Sequence, residues 1–150
     1  MAEEAHALLS ETRAQAHPDC AYCSPRAPGW LALDLHDDGA GGVQAAFPCP
    51  PAAEGYPGLV HGGVAAGLLD AAMTNALFAR GVVALTGRLS VRYHHPLRIA
   101  RTATVSARTS ERRGAWWIVQ GEISQDGTVA ATAEAWFKDS AEEPAPVEST

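Results

Sequence analysis

The stretch His61-Gly62-Gly63-Val64-Ala65-Ala66-Gly67-Leu68-Leu69-Asp70-Ala71-Ala72-Met73-Thr74-Asn75-Ala76-Leu77-Phe78-Ala79-Arg80 decides the fold. From Gly63 to Arg80, apolar residues at 64, 65, 66, 68, 69, 71, 72, 73, 76, 77 and 78 cover nearly every face of a helix. A helix that is apolar all round has to be wrapped by other structure. Gly81 is placed to end it.

The wrapping is legible on both sides. Downstream lie four extended runs, Val82–Tyr93, Arg101–Thr109, Ala115–Ile123 and Val129–Lys138. The last sets Val129, Ala131, Ala133, Ala135 and Phe137 on one face. Glu111-Arg112-Arg113-Gly114 and Gln125-Asp126-Gly127 read as turns between runs. Upstream, Trp30–His36 alternates, Asp37-Asp38-Gly39 turns, and Gly42–Phe47 is extended again, which predicts a hairpin. Residues 3–16 predict a short surface helix, and His17 to Gly29, with Pro18, Pro25 and Pro28, a loop. The acidic tail from Asp139 to Thr150 carries Pro144 and Pro146 and is expected to be disordered. Three segments follow: 1–27, a helix and loop; 28–138, the folded domain; and 139–150, the tail. The fold class is α+β, one antiparallel sheet curled around one apolar helix, with sheet edges that need cover.

Composition narrows the function. One domain of 150 residues with a formal charge of −6 and a single lysine, Lys138, does not offer the basic face of a nucleic-acid binder. No run of roughly 20 apolar residues spans a membrane. The N-terminus lacks the basic start and apolar run of a signal peptide, so a cytoplasmic location is expected. Cys20, Cys23 and Cys49 give no reason to expect a disulfide framework.

Asp70 breaks the pattern. Its helical neighbours Ala66, Gly67, Met73 and Thr74 include no cation, and a buried carboxylate without a partner is costly. Such a break of a local rule is expected at functional sites, although a hydrogen bond to a threonine, or partial exposure, would also accommodate it. At the helix entrance, Gly62 and Gly63 let another group approach unpaired N–H donors at the positive end of the helix dipole. That suits a carbonyl oxygen gaining negative charge. Residues 63 and 70 share a face but lie about 11 Å apart along the axis. One helix therefore cannot easily bring both to one carbonyl. Two copies packed antiparallel across a two-fold axis can, which predicts a dimer with two shared sites.

Gly55-Tyr56-Pro57-Gly58-Leu59-Val60-His61-Gly62-Gly63 followed by Leu68-Leu69-Asp70-Ala71-Ala72-Met73 resembles the signature of the PaaI-like hotdog thioesterases. Thr86, Leu89-Ser90-Val91-Arg92-Tyr93 and Pro96 resemble that family's third strand. The resemblance covers roughly residues 28–138. It implies a hotdog fold, a homodimer or a dimer of dimers (a homotetramer), and an acyl-CoA thioesterase that releases free acid and CoA. It implies that Asp70 is general base or nucleophile, that the Gly62 N–H, with Gly63, polarises the thioester carbonyl, that Thr86 helps to place water, and that His61 is positional. Many relatives carry Asn six residues before the motif histidine; here that position is Gly55, beside Glu54.

Arg88, Arg92 and Arg98, with Arg101 and His94, are candidates to meet the phosphates of CoA, against the plainer reading of solvated strand residues. His17, Cys20 and Cys23 suggest part of a zinc site, which needs four ligands, with no second Cys/His pair at suitable spacing. Ordinary loop thiols and no metal are expected. In Trp116-Trp117 one ring points into the core and one outward. Phe47, Phe78 and the small helix residues could suit an aryl or a fatty acyl group. No cofactor is expected, because CoA is part of the substrate. Two rivals remain: a hotdog dehydratase or hydratase, which wants a histidine paired with an acid, and a non-catalytic acyl-CoA sensor.

Overall fold

The computed structural model describes residues 2–24 and 29–140. Helix α1 spans Ala2–Ala16, strands β1 His36–Asp37 and β2 Val43–Phe47, helix α2 Gly62–Phe78, and strands β3 Ala84–Tyr93, β4 Ala103–Arg113, β5 Trp116–Gln125 and β6 Thr128–Asp139. The strands form one antiparallel sheet in the order β1-β2-β4-β5-β6-β3. Helix α2 packs on its inner face, and this is the hotdog arrangement expected from the sequence.

Burial follows the alternation of the strands. Val105, Val119, Ile123, Ala135 and Phe137 meet Leu68, Leu69, Met73 and Leu77 of α2 in one core. At Gly121 the backbone comes so close to α2 that a Cβ would lie 3.1 Å from Leu69 Cδ2. Phe47 and Phe78 are fully buried in this core, so neither faces an open acyl pocket. Trp117 is the inward ring of its pair, with Arg112 and Arg80 over it at 4.8 and 5.3 Å. Trp116 faces outward and meets Trp136 edge-on.

Several boundaries move. The expected first strand shrinks to two residues. Leu33 and Leu35 are buried, yet the chain there pairs with the loop before it (Leu33 N–H to Tyr22 O, 2.6 Å) and not with a strand. Alternation reported burial rather than a ladder. Arg112 and Arg113 lie in β4, leaving Gly114-Ala115 as the turn. Gln125, expected in a turn, is buried and clasps the loop after Leu97: its amide donates to the carbonyls of Arg98 and Arg101, both at 2.9 Å. Asp139 belongs to β6. The expected disorder of the tail falls on residues 141–150, outside the described ones.

The N-terminal segment shares the core. Leu9 is fully buried, and Arg13 donates to Leu35 O (2.9 Å) and to Asn75 Oδ1 of α2 (3.3 Å). The two sheet edges differ. β1 is short; β3 is ten residues long and presents Leu85, Leu89 and Tyr93 at 61%, 37% and 57% exposure. Among the described residues no helix is long and apolar enough to cross a membrane.

Candidate active site

The entrance of α2 is organised by His61. Its Nδ1 accepts the Gly63 N–H at 2.8 Å, and its carbonyl accepts those of Val64 and Ala65 at 3.0 and 3.1 Å. The proton of a neutral His61 therefore sits on Nε2. The Gly62 N–H has no hydrogen-bond partner among the described residues, and Gly62 is exposed. The open donor at this entrance is thus Gly62, because Gly63 is already engaged. Tyr93, from β3, donates its hydroxyl to Gly62 O at 2.7 Å. A cavity of about 300 Å³ opens here, lined by Gly62, Ala65, Tyr93, His94 and His95 among others. The loop before the helix also explains Gly55. A Cβ there would lie 2.9 Å from His61 Cα, so no side chain fits while His61 caps the helix.

Asp70 sits two turns into α2, half-buried. The Thr86 hydroxyl donates to its Oδ1 at 2.8 Å, and Oδ2 accepts no hydrogen bond from the described residues. Thr86 reaches this position at an irregularity of β3, where the register against β6 shifts between Thr86 and Arg88. Gly87 makes the shift possible: a Cβ would lie 2.6 Å from Trp116 Cζ3. One face of Asp70 is therefore held by a neutral hydroxyl while the other is open. An ionised carboxylate in that setting is an acceptor with spare capacity for a proton or an electrophile.

Tyr22, which no sequence motif singles out, lies on the same face of α2 as Asp70. A Cβ on Gly67 would collide with its hydroxyl and lie 2.7 Å from its Cζ. Burial, and then the charge of Asp70, push the Tyr22 hydroxyl above its ordinary pKa. His17 is lowered by burial, with Asp70 opposing. The available signal was Gly67 itself, since glycine inside a helix costs about 1 kcal/mol relative to alanine and marks a close approach. Beside Tyr22, the thiol of Cys23 is pushed up to about 12, chiefly by burial.

The structure joins Asp70 with Thr86 and His61 with Gly63, and keeps the two pairs apart: Gly62 and Asp70 are eight residues, about 12 Å, from each other along α2. His94 lines the entrance cavity and bonds Thr132 Oγ1 at 2.9 Å. Arg98 lies farther along, its N–H held by Gln125 at 2.8 Å. Arg92 lines a basin on the outer sheet face with Ser90, Thr132 and Glu134, and Arg88 shares that face as the cross-strand partner of Trp136. Both face away from Asp70 of their own chain.

The profile of the thioesterase superfamily matches residues 57–132, just over half of the chain. The matched region holds Asp70, Thr86 and the helix entrance, and the chain belongs to this superfamily. Among solved structures, a thioesterase superfamily protein is 32% identical with a TM-score of 0.70 over 73% of this chain; the chain spans 55% of that protein's length. A proposed thioesterase from Ralstonia eutropha JMP134, a phenylacetic acid degradation-related protein, is 26% identical with a TM-score of 0.69, covering 87% of this chain and 98% of its own. A hypothetical thioesterase from Streptococcus pneumoniae TIGR4, solved with coenzyme A, shares the fold at 16% identity and a TM-score of 0.67, over 72% of this chain and 88% of its own. The resemblance to PaaI-like hotdog thioesterases drawn from the sequence holds. The comparison with curated proteins found no match.

Proposed function

We propose that the chain hydrolyses acyl-CoA thioesters, with Asp70 as general base or nucleophile and the Gly62 N–H of a second copy as oxyanion donor. The observation that carries this reading is the half-buried Asp70 carboxylate, bonded on one oxygen by Thr86 and open on the other. As base, it takes a proton from water whose oxygen bonds to the thioester carbon. The C–S bond then breaks, and the CoA thiolate leaves and is protonated. As nucleophile, it forms a mixed anhydride that water cleaves. Thr86 fixes the carboxylate orientation. His61 holds the entrance so that the Gly62 donor points outward. No metal or organic cofactor takes part in this step.

The dimer follows from the separation of Gly62 and Asp70 within one chain. The exposed apolar edge of β3 supports it, because a long unpaired edge strand is a template for pairing. His94 and Arg98 are the side chains assigned to the nucleotide end of CoA. Arg88 and Arg92 could meet only the phosphates of a thioester bound in another copy packed on their face, as in a dimer of dimers.

The test is free-thiol release from a panel of aryl- and fatty-acyl-CoA substrates, wild type against Asp70→Asn. The variant is expected to lose about a hundredfold or more in turnover, or ~3 kcal/mol of barrier, while folding and dimerising as before. Wild-type protein that binds acyl-CoA without turning it over would establish the sensor instead. Turnover of an enoyl or 3-hydroxyacyl thioester without thiol release would establish the hydratase. Single-turnover hydrolysis in heavy-oxygen water separates the two roles of Asp70: label in its carboxylate excludes the general base. A strictly monomeric active protein would overturn the shared site.

A further inference from the structure

We infer that His17, Cys20 and Cys23 form a zinc site that braces the loop after α1 where it packs against helix α2. By spacing alone these residues lack a fourth ligand. The fold does more with them than their spacing implied. One donor atom from each lies within 4.8 Å of the other two, and Cys23 Sγ is 3.4 Å from His17 Nδ1. A tetrahedral zinc with Zn–S of about 2.3 Å and Zn–N of about 2.0–2.1 Å needs S···N edges of roughly 3.6 Å and an S···S edge of roughly 3.8 Å. The cluster reaches that geometry with side-chain shifts of about an ångström or less.

The backbone is shaped for it. The Cys20 N–H donates to His17 O (3.5 Å) and the Ser24 N–H to Cys20 O (3.3 Å), two successive turns that bring the three donors to one side. The Tyr22 N–H donates to Cys20 Sγ at 3.4 Å, which fixes the position of that sulfur. The His17 ring is fixed edge-on against Phe78 of α2 at 5.0 Å. Two thiolates and a neutral imidazole around Zn²⁺ carry no net charge, which suits a partly buried position. Among the described residues no fourth histidine, cysteine or carboxylate joins the group. The fourth position is therefore left to water or a small exogenous donor.

The site would act through position. The loop it braces carries Tyr22, whose hydroxyl rests on Gly67, one turn from Asp70. Zinc would brace the backbone that carries Tyr22, touching neither substrate nor reacting atoms. The zinc site does not depend on the thioesterase reading, and its test involves no turnover.

Reduced, metal-free full-length protein is titrated with Co²⁺, then with Zn²⁺. One equivalent of Co²⁺ per chain is expected, with the strong visible bands of tetrahedral cobalt and sulfur-to-cobalt charge transfer, displaced by one equivalent of Zn²⁺. Bound Zn²⁺ should protect Cys20, the more accessible of the two sulfurs, from alkylation, followed by mass spectrometry. Cys20→Ser and Cys23→Ser should each abolish or markedly weaken the sulfur bands. His17→Gln should weaken binding by more than the roughly 10- to 100-fold that loss of an outer hydrogen-bond partner costs. The wild-type protein alone is decisive if a variant fails to fold. Octahedral or sub-stoichiometric cobalt without sulfur bands, or alkylation of Cys20 at the same rate with and without Zn²⁺, would overturn the site.

Discussion

The two halves of α2 are built from similar apolar residues and do opposite work. From Leu68 to Phe78 every residue except Asp70 is buried, and large side chains fill the core. From Gly62 to Gly67 only Ala65 is buried, and the residues are Gly, Val and Ala. Asp70 stands where the two meet. Side-chain size, not polarity, separates them: the second half is anchored by volume, and the first leaves room for other groups to approach its backbone. Tyr22, Tyr93 and His61 already do so within the chain. Substitutions in the second half should therefore act on stability, and substitutions in the first on geometry.

The largest expected effect tests the anchored half. Phe78→Ala should cost about 3–5 kcal/mol in denaturant unfolding, and any turnover measured where the variant is still folded should stay near wild type. At the junction, Asp70→Asn should change stability by only about 0.5 kcal/mol while removing turnover. Equal losses of stability from both would erase the division. Next in size is Gly67→Ala. Helix propensity alone would gain about 1 kcal/mol, but the new Cβ meets the Tyr22 ring at 2.7 Å. Overpacking of that kind typically costs about 1–3 kcal/mol. The same change in a Tyr22→Ala background should reverse sign and stabilise. If Gly67→Ala stabilises in both backgrounds, Tyr22 does not rest on the helix in solution.

Much of this was legible in the sequence, for reasons that also mark where legibility ended. The apolar run of α2 and the period-two pattern of β6 are one-dimensional signals of burial, and they located the core and the helix that carries Asp70. The same signal misled at Trp30–Leu35, because alternation reports which side chains are buried and not whether a neighbouring strand is present to pair. Arg88 and Arg92 were grouped with His94 and Arg98 by nearness in sequence. In a strand, the facing side decides, and the irregularity at Gly87 resets it. Asp70 was legible as an exception, whereas family resemblance singled out Thr86 for placing water and not for its bond to Asp70. The contact of Tyr22 with Gly67 and the four side-chain hydrogen bonds of Gln125 are long-range, and no local pattern names the partners.

The smallest expected effect bears on the entrance, and it separates two accounts of His61. As a cap, His61 satisfies the Gly63 N–H, and His61→Ala should cost about 1 kcal/mol, typical of a lost helix cap. Were that all, His61→Asn, which can also accept from the helix N-terminus, would restore both stability and turnover. The imidazole Cδ2 also packs beside Gly55, 3.3 Å from where a Cβ would lie, so under the proposed mechanism the ring would help to set the path of the loop that carries the Gly62 donor. His61→Asn is therefore expected to recover most of the stability measured by thermal unfolding, yet to keep a defect in turnover with KM little changed, because a misaimed donor weakens binding of the transition state more than of the ground state. Full recovery of both by asparagine would reduce His61 to a cap and place the aim of Gly62 in the helix alone.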